Sequence, residues 1–138
     1  MLYVHGSPRI HLCGYVFPED VYYQKKLIEL GTHFDRVCFT GNTGVPGVFV
    51  KRWPWRWKFV RPEECVGGFR VGGRRVICNV GAVGYPRDGD WRACYVLFDG
   101  ETIWFHRVEY DVEATIRKGY AVPTQATLFR DRLREGRA

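Results

Sequence analysis

At 138 residues, with 46% apolar and 16% aromatic side chains, the chain is sized for one domain, residues 1–138, with a real core. The composition excludes disorder, and no apolar run approaches the roughly 20 residues of a membrane-spanning helix. The formal net charge of +6 suits either a solvated basic surface or one that attracts phosphate-bearing ligands. Five dispersed cysteines, with no CxxC pair, predict reduced thiols and a cytoplasmic protein. The N-terminal MLYVHGSPR has no basic region followed by an apolar core, so it does not read as a signal peptide.

In chain order, Leu2-Tyr3-Val4 predicts a short strand ending at His5. Breakers Ser7, Pro8 and Gly14 predict a loop, and Pro18-Glu19-Asp20 predicts a helix start, with a proline in the first turn and acids at the positive end of the dipole. Gly31 is the expected stop. Residues 36–40 predict a second strand, and a third begins at Gly47. The segment 51–61 alternates Trp53, Trp55 and Trp57 with basic residues or proline, which would set the tryptophans on one side of an extended chain. Two readings follow: a hairpin whose tryptophans pack on the domain, or a stacking platform for nucleic-acid bases with arginines for the phosphates. Gly72-Gly73 predicts a hairpin turn between 69–71 and 74–78. Asp99-Gly100-Glu101 predicts another, between 92–98 and 102–110, whose strands are apolar on both faces and so expected to be buried between layers. Asp111 reads as the N-cap of a helix to about Tyr120. Pro123 opens a last helical piece with Ala126, Phe129 and Leu133 inward and Arg130, Arg132 and Arg134 outward.

The glycine-punctuated loop Asn79-Val80-Gly81-Ala82-Val83-Gly84 leads into the turn residues Tyr85-Pro86-Arg87-Asp88-Gly89-Asp90. Taken alone it is a loop at the rim of a sheet. Taken with His5-Gly6-Ser7-Pro8-Arg9, Gly41-Asn42-Thr43-Gly44-Val45-Pro46-Gly47 and Arg107-Val108-Glu109-Tyr110-Asp111, in that order, it resembles the C-terminal half of the calcineurin-like metallophosphoesterases, in their bacterial and archaeal branch.

The resemblance implies an α/β fold. It would be part of an αββα sandwich, with a mixed, largely antiparallel sheet system and C-terminal helices. It also implies two divalent cations (Mn, Fe, Zn or similar), which clamp a phosphate and lower the pKa of a bridging water. His5 matches the family's strand-end histidine ligand. Gly41-Asn42-Thr43-Gly44 stands where the family carries Gly-His-x-His, so Asn42 is at most a weak oxygen ligand and Gly44 offers no side chain. Nothing like the family's N-terminal ligand motifs precedes His5. No catalytic residue is assigned, and Arg9 and Arg87 are candidates for phosphate. The expectation is a truncated metallophosphoesterase-like protein with a degenerate metal site and little hydrolysis of its own. Its partners would be a phosphorylated substrate or a separate N-terminal half. The alternative is a non-catalytic polyanion or nucleic-acid binding module using residues 51–61. His5, Asn42 and the 79–84 loop are expected to converge on one rim.

Overall fold

The computed structural model describes residues 1–52, 55–120 and 132–137. Among them, eight strands form two sheets: β1 (Leu2–Tyr3), β2 (Val37–Thr40), β3 (Gly47–Arg52), β4 (Arg56–Val60), β5 (Phe69–Arg70), β6 (Val76–Asn79), β7 (Ala93–Phe98) and β8 (Thr102–Val108). The larger sheet has the order β1-β2-β6-β3-β4. Its β1, β2 and β6 run parallel, while β3 is antiparallel to both β6 and β4. The smaller sheet, β5-β8-β7, is antiparallel. This is the expected mixed α/β arrangement.

The layers follow from side-chain alternation. In β2, Val37 and Phe39 point to one core while Cys38 points to the other, and β6 does the same with Val76 and Cys78 against Ile77. Both strands are buried along their whole length, which is why they read as continuous apolar runs. One face of the large sheet packs on the small sheet through Ile103, Val96, Phe98 and Phe105. The other packs on helix α1 (Gln24–Leu30), whose Leu27 and Leu30 lie one turn apart and meet Phe49, Trp57 and Ile77. Burying such side chains is the dominant stabilising term.

Five sequence expectations need correction. The helix opened by Pro18 is broken: a 3-10 turn (Pro18–Tyr22) ends at Tyr23, whose ψ of 62° leaves helical space before α1 begins. Asp20 holds that turn, accepting from the Phe17 N–H at 2.9 Å and pairing with Lys26 at 2.6 Å. Gly31 continues in right-handed helical conformation into a 3-10 turn to His33, so the helical segment ends there instead. Gly72-Gly73 does not make a hairpin, because β5 pairs with β8 and β6 with β2 and β3; the two glycines carry the chain from one sheet to the other. The β7–β8 hairpin forms as expected, but only one of its faces is covered, and Tyr95 and Leu97 stand 40% and 52% exposed.

The tryptophans do not share a face. Trp55 lies in the turn before β4 and is 70% exposed, whereas Trp57 is 2% exposed within the α1 layer; Trp53 lies outside the described residues. Trp57 is also the point where α1 covers the sheet edge. The Gln24 side chain accepts from the Trp57 N–H at 2.6 Å and donates to the Trp57 carbonyl at 3.0 Å, which satisfies the outward main chain of edge strand β4. Asp111 caps α2 (Val112–Tyr120), accepting from the Ala114 N–H at 2.8 Å. Residues 121–131, with Ala126, Phe129 and Arg130, lie outside the described residues; Leu133 is buried as expected, and Arg132 and Arg134 are exposed.

Candidate active-site rim

Because β1, β2 and β6 are parallel, their carboxyl ends open onto the same rim, where open α/β sheets place their ligands. Three loops leave from that rim: the one that opens with His5, the one from Gly41 to Pro46, and the one from Val80 to Asp90. They are stitched together by short polar bonds. The Gly41 N–H donates to the His5 carbonyl at 2.9 Å. Asn79, at the end of β6, donates from Nδ2 to the Gly41 carbonyl at 2.9 Å and to the Thr43 hydroxyl at 2.7 Å, and its Oδ1 accepts from the Gly81 N–H at 3.0 Å. Asn79 and Thr43 are both fully buried.

The candidate side chains are placed unequally. His5 is exposed at the rim, with Nδ1 3.7 Å from the point where a Cβ on Gly41 would stand. Asn42 is the one non-glycine residue with positive φ among the described residues, at 63°, a conformation that asparagine tolerates well. Its Nδ2 donates to the Gly14 carbonyl at 3.1 Å, tying the rim to the first loop. Arg87 crosses to the same place: its N–H donates to the Gly44 carbonyl at 3.2 Å, its Nη1 lies 3.4 Å from the Asn42 carbonyl, and its guanidinium sits 5.4 Å from the Tyr85 ring centre. Arg9 is engaged elsewhere, paired at 2.5 Å with Glu29 of α1. So His5, Asn42, Arg87 and the 79–84 loop are brought together, while Arg9 is held against the helix.

Below Arg87 the loop is clamped by charge. Asp88 pairs with Arg107, and Asp90 is gripped by Arg92 at 2.7 Å and approached by Arg107 at 3.5 Å. The side-chain hydrogen bonds from Arg92 hold the Asp90 carboxyl below its ordinary range, with the Arg107 charge adding to the effect. The C-terminal residues close on the same loop. Gly136, at φ 63°, ends a helical turn with the Arg137 N–H bonded to the Arg132 carbonyl and its own N–H to that of Leu133, a glycine C-cap. The Gly136 carbonyl then accepts from the Gly89 N–H at 3.0 Å.

A cleft of about 820 Å³ adjoins the rim, lined by Val45, Pro46, Arg87 and Asp88 of the rim loops and by Phe59, Arg61 and Pro62 from the end of β4 and the turn after it. As for the cations the resemblance implies, His5 and Asn42 are the donors on this rim. Among the described residues no three His, Cys, Asp or Glu side chains gather as a metal-holding group. The donor set does not fit two hard cations, which repel each other and require several anionic ligands to be held.

Sequence reasoning found the three loops and three of the side chains. It missed Asn79 and Thr43 as the pair that joins the loops. A polar residue ending the apolar run Val76-Ile77-Cys78 was the available signal, since a buried amide has to find partners.

The parallel-strand rim defines the class: an α/β domain that presents its ligand loops at the carboxyl ends of its strands. Among solved structures, the chain is similar to the crystal structure of a metallophosphoesterase from Sphaerobacter thermophilus, with a TM-score of 0.74 and 30% identity over 97% of this chain and 55% of that chain. The metallophosphoesterase resemblance read from the motifs therefore holds, and the chain spans about half the length of that relative. No protein-family model matches the chain, and no curated protein does. Among the described residues, no helix is long and apolar enough to cross a membrane.

Proposed function

We propose that this chain forms the second-half rim of a metallophosphoesterase site: it presents His5 and Arg87 to a phosphoester but does not assemble the dinuclear metal centre from its own residues. The carrying observation is the rim itself. His5, Asn42 and Arg87 are drawn together by main-chain bonds and Asn79, within a metallophosphoesterase fold, yet without a sufficient donor set. The missing ligands belong to residues beyond these 138, on the same polypeptide or on a separate partner. The substrate is a phosphorylated molecule, and the five free thiols suit a reducing compartment such as the cytoplasm.

On this reading Arg87 binds phosphate by charge-assisted hydrogen bonds, and without a held cation there is no low-pKa water to attack it. Turnover of p-nitrophenyl phosphate and bis-p-nitrophenyl phosphate with Mn²⁺ should sit at background, while inorganic phosphate should bind in a manner abolished by Arg87→Ala. Robust turnover that vanishes in His5→Ala would overturn the reading. The polyanion-binding alternative is favoured by one observation, the exposure of Trp55 between Arg52 and Arg56. It predicts salt-sensitive binding of single-stranded oligonucleotides that is lost in Trp55→Ala.

A further inference from the structure

The end of the large sheet opposite the rim gathers basic residues from three separate segments. Because β3 runs antiparallel to β6, and β2 parallel to it, the last residues of β3 lie beside the first residues of β2 and β6. The Lys51 N–H donates to the Arg75 carbonyl at 3.0 Å and the Val76 N–H to the Arg36 carbonyl at 2.9 Å, so these three basic residues stand in one row across neighbouring strands. Arg70 and Arg74 join from the chain that crosses between the sheets: Arg74 donates to the Arg70 carbonyl, and its guanidinium sits 5.1 Å from the Phe69 ring centre. Arg52 and Arg56 face each other directly across the β3–β4 hairpin, both exposed. Like charges placed in that way repel. Asp35, Asp99 and Glu101 are the acids among them. Glu101 is shared between Arg36 at 3.7 Å and Arg70 at 3.6 Å, and the Asp99 carboxylate is taken up by the N–H groups of Glu101 and Thr102 in its own turn. Asp35 accepts from Arg75 through its main-chain carbonyl, at 3.2 Å. Among the described residues, Lys51, Arg52, Arg56, Arg74 and Arg75 have no ion pair.

Aromatic rings stand among these charges. Trp55, in the turn between Arg52 and Arg56, is 70% exposed. A hollow of about 480 Å³ beside the same two arginines is lined also by Tyr22, Phe59 and Lys58, the last of which lies 3.5 Å from Glu64. Tyr22 is the more open of the two rings, at 83% exposure. We propose that this end of the sheet is a surface for single-stranded nucleic acid, resting on the second reading above for Trp55 and extending it to Arg74 and Arg75. Bases stack on Trp55 and Tyr22, and phosphates meet Arg52, Arg56, Arg74 and Arg75. A phosphate set between Arg52 and Arg56 also offsets their repulsion. In a duplex each base is already stacked and paired, so the exposed rings favour the single strand. The surface lies across the four residues of β6 from the rim, roughly 13 Å of strand. Binding there therefore leaves Arg87 and His5 open, and the two ends of the sheet serve one protein together.

The test is fluorescence anisotropy of the 138-residue chain with labelled oligothymidylate and oligouridylate of about 12 nucleotides, which tell DNA from RNA, and with a duplex of the same length. Four phosphate contacts predict that raising NaCl from about 50 to about 200 mM weakens single-strand binding roughly fiftyfold. Trp55→Ala should weaken it about tenfold or more. Arg74→Gln/Arg75→Gln leaves residues 51–61 untouched and should still cut the salt slope by about half. If urea unfolding shows that double variant to be destabilised, Arg74→Gln alone should lower the slope by about a quarter. Duplex binding as tight as single-strand binding, or parent affinity in Trp55→Ala, would overturn the stacking and with it the choice of partner. Weakened binding in Trp55→Ala with an unchanged slope in the Arg74 variants would confine the site to 51–61 and overturn this inference alone. Absence of salt-sensitive binding to either single strand would sink the second reading and this inference together.

Discussion

Asn79→Ala is the sharpest perturbation of the rim. The side chain is fully buried and makes three hydrogen bonds to two of the rim loops: to the Gly41 carbonyl and the Thr43 hydroxyl in one, and to the Gly81 N–H in the other. Truncation leaves the Gly81 N–H without its partner, removes one of two hydrogen bonds at the Gly41 carbonyl, which keeps the Thr43 N–H at 2.7 Å, and opens a void at the carboxyl end of β6. A buried polar group deprived of its partner costs about 1–3 kcal/mol. The Thr43 hydroxyl still meets the Val45 N–H at 3.3 Å, so its loss is the smallest. Together the substitution should cost roughly 3–5 kcal/mol. With a urea dependence of about 1–3 kcal/mol per molar, the unfolding midpoint should fall by about 1–3 M. Asn79→Asp separates geometry from size: it keeps the acceptor for Gly81 but replaces the donor facing the Gly41 carbonyl with a charge, so it should also lose about 2 kcal/mol or more. Urea unfolding followed by far-ultraviolet circular dichroism measures both. A midpoint for Asn79→Ala close to that of the parent would refute the claim that this side chain binds the 41–46 and 80–90 loops together.

Three further outcomes follow from the same geometry. Gly136→Ala should release the C-terminal turn from the 85–90 loop, because φ is 63° and an added Cβ would stand 2.5 Å from the Asp90 backbone; faster proteolysis after Arg87 or Arg92 measures it, and an unchanged cleavage pattern contradicts it. In native protein at neutral pH, Ellman's reagent should modify exposed Cys13 first, since burial pushes the thiols of Cys38 up to about 12 and of Cys65 and Cys94 up to about 11. Asp90 has a folded-state pKa below its ordinary 3.8, so its contribution to stability is present above that value and is lost as pH falls through the lower folded value; in Asp90→Asn that acid-side loss should be smaller, read as the unfolding midpoint against pH.

The sequence showed most where burial is two-sided or a loop is built from turn formers. Val37–Thr40 and Val76–Asn79 read as strands because their apolar runs serve two cores at once, and the three rim loops were legible from their glycines and prolines. It misled where a local signal had two outcomes. Gly72-Gly73 permits a hairpin turn and equally a crossing between sheets, and the choice rests on which strands find partners far away in sequence. Alternation in 51–61 suggested one tryptophan face, but the turn at Trp55 breaks the period just before β4, so exposure changes between Trp55 and Trp57. Asn79 was hidden for the same reason: its partners lie 36 and 38 residues away.

The backbone of the Gly41–Gly44 loop limits how this rim differs from the metallophosphoesterase pattern it resembles. If the chain were simply the family motif with two histidines trimmed, restoring them should cost little. Asn42 allows it, because histidine also visits positive φ, and Asn42→His forfeits one hydrogen bond, to the Gly14 carbonyl, at about 1 kcal/mol. Gly44 does not. Its φ is 69°, and an added Cβ would stand 3.0 Å from the Tyr85 carbonyl and within 3.6 Å of the Arg87 side chain, which itself bonds back to this loop. A histidine there meets a left-handed backbone and a crowded neighbour together, a strain of roughly 1–3 kcal/mol. We therefore expect Asn42→His to fold with near-parent stability. The double variant Asn42→His/Gly44→His should lose roughly 1–3 kcal/mol more in urea unfolding and gain no Mn²⁺ affinity by calorimetry, since no carboxylate joins the two imidazoles and His5. Stoichiometric Mn²⁺ binding by a double variant as stable as the single one would show that this loop still has the family's shape, and that two side chains were all it lacked.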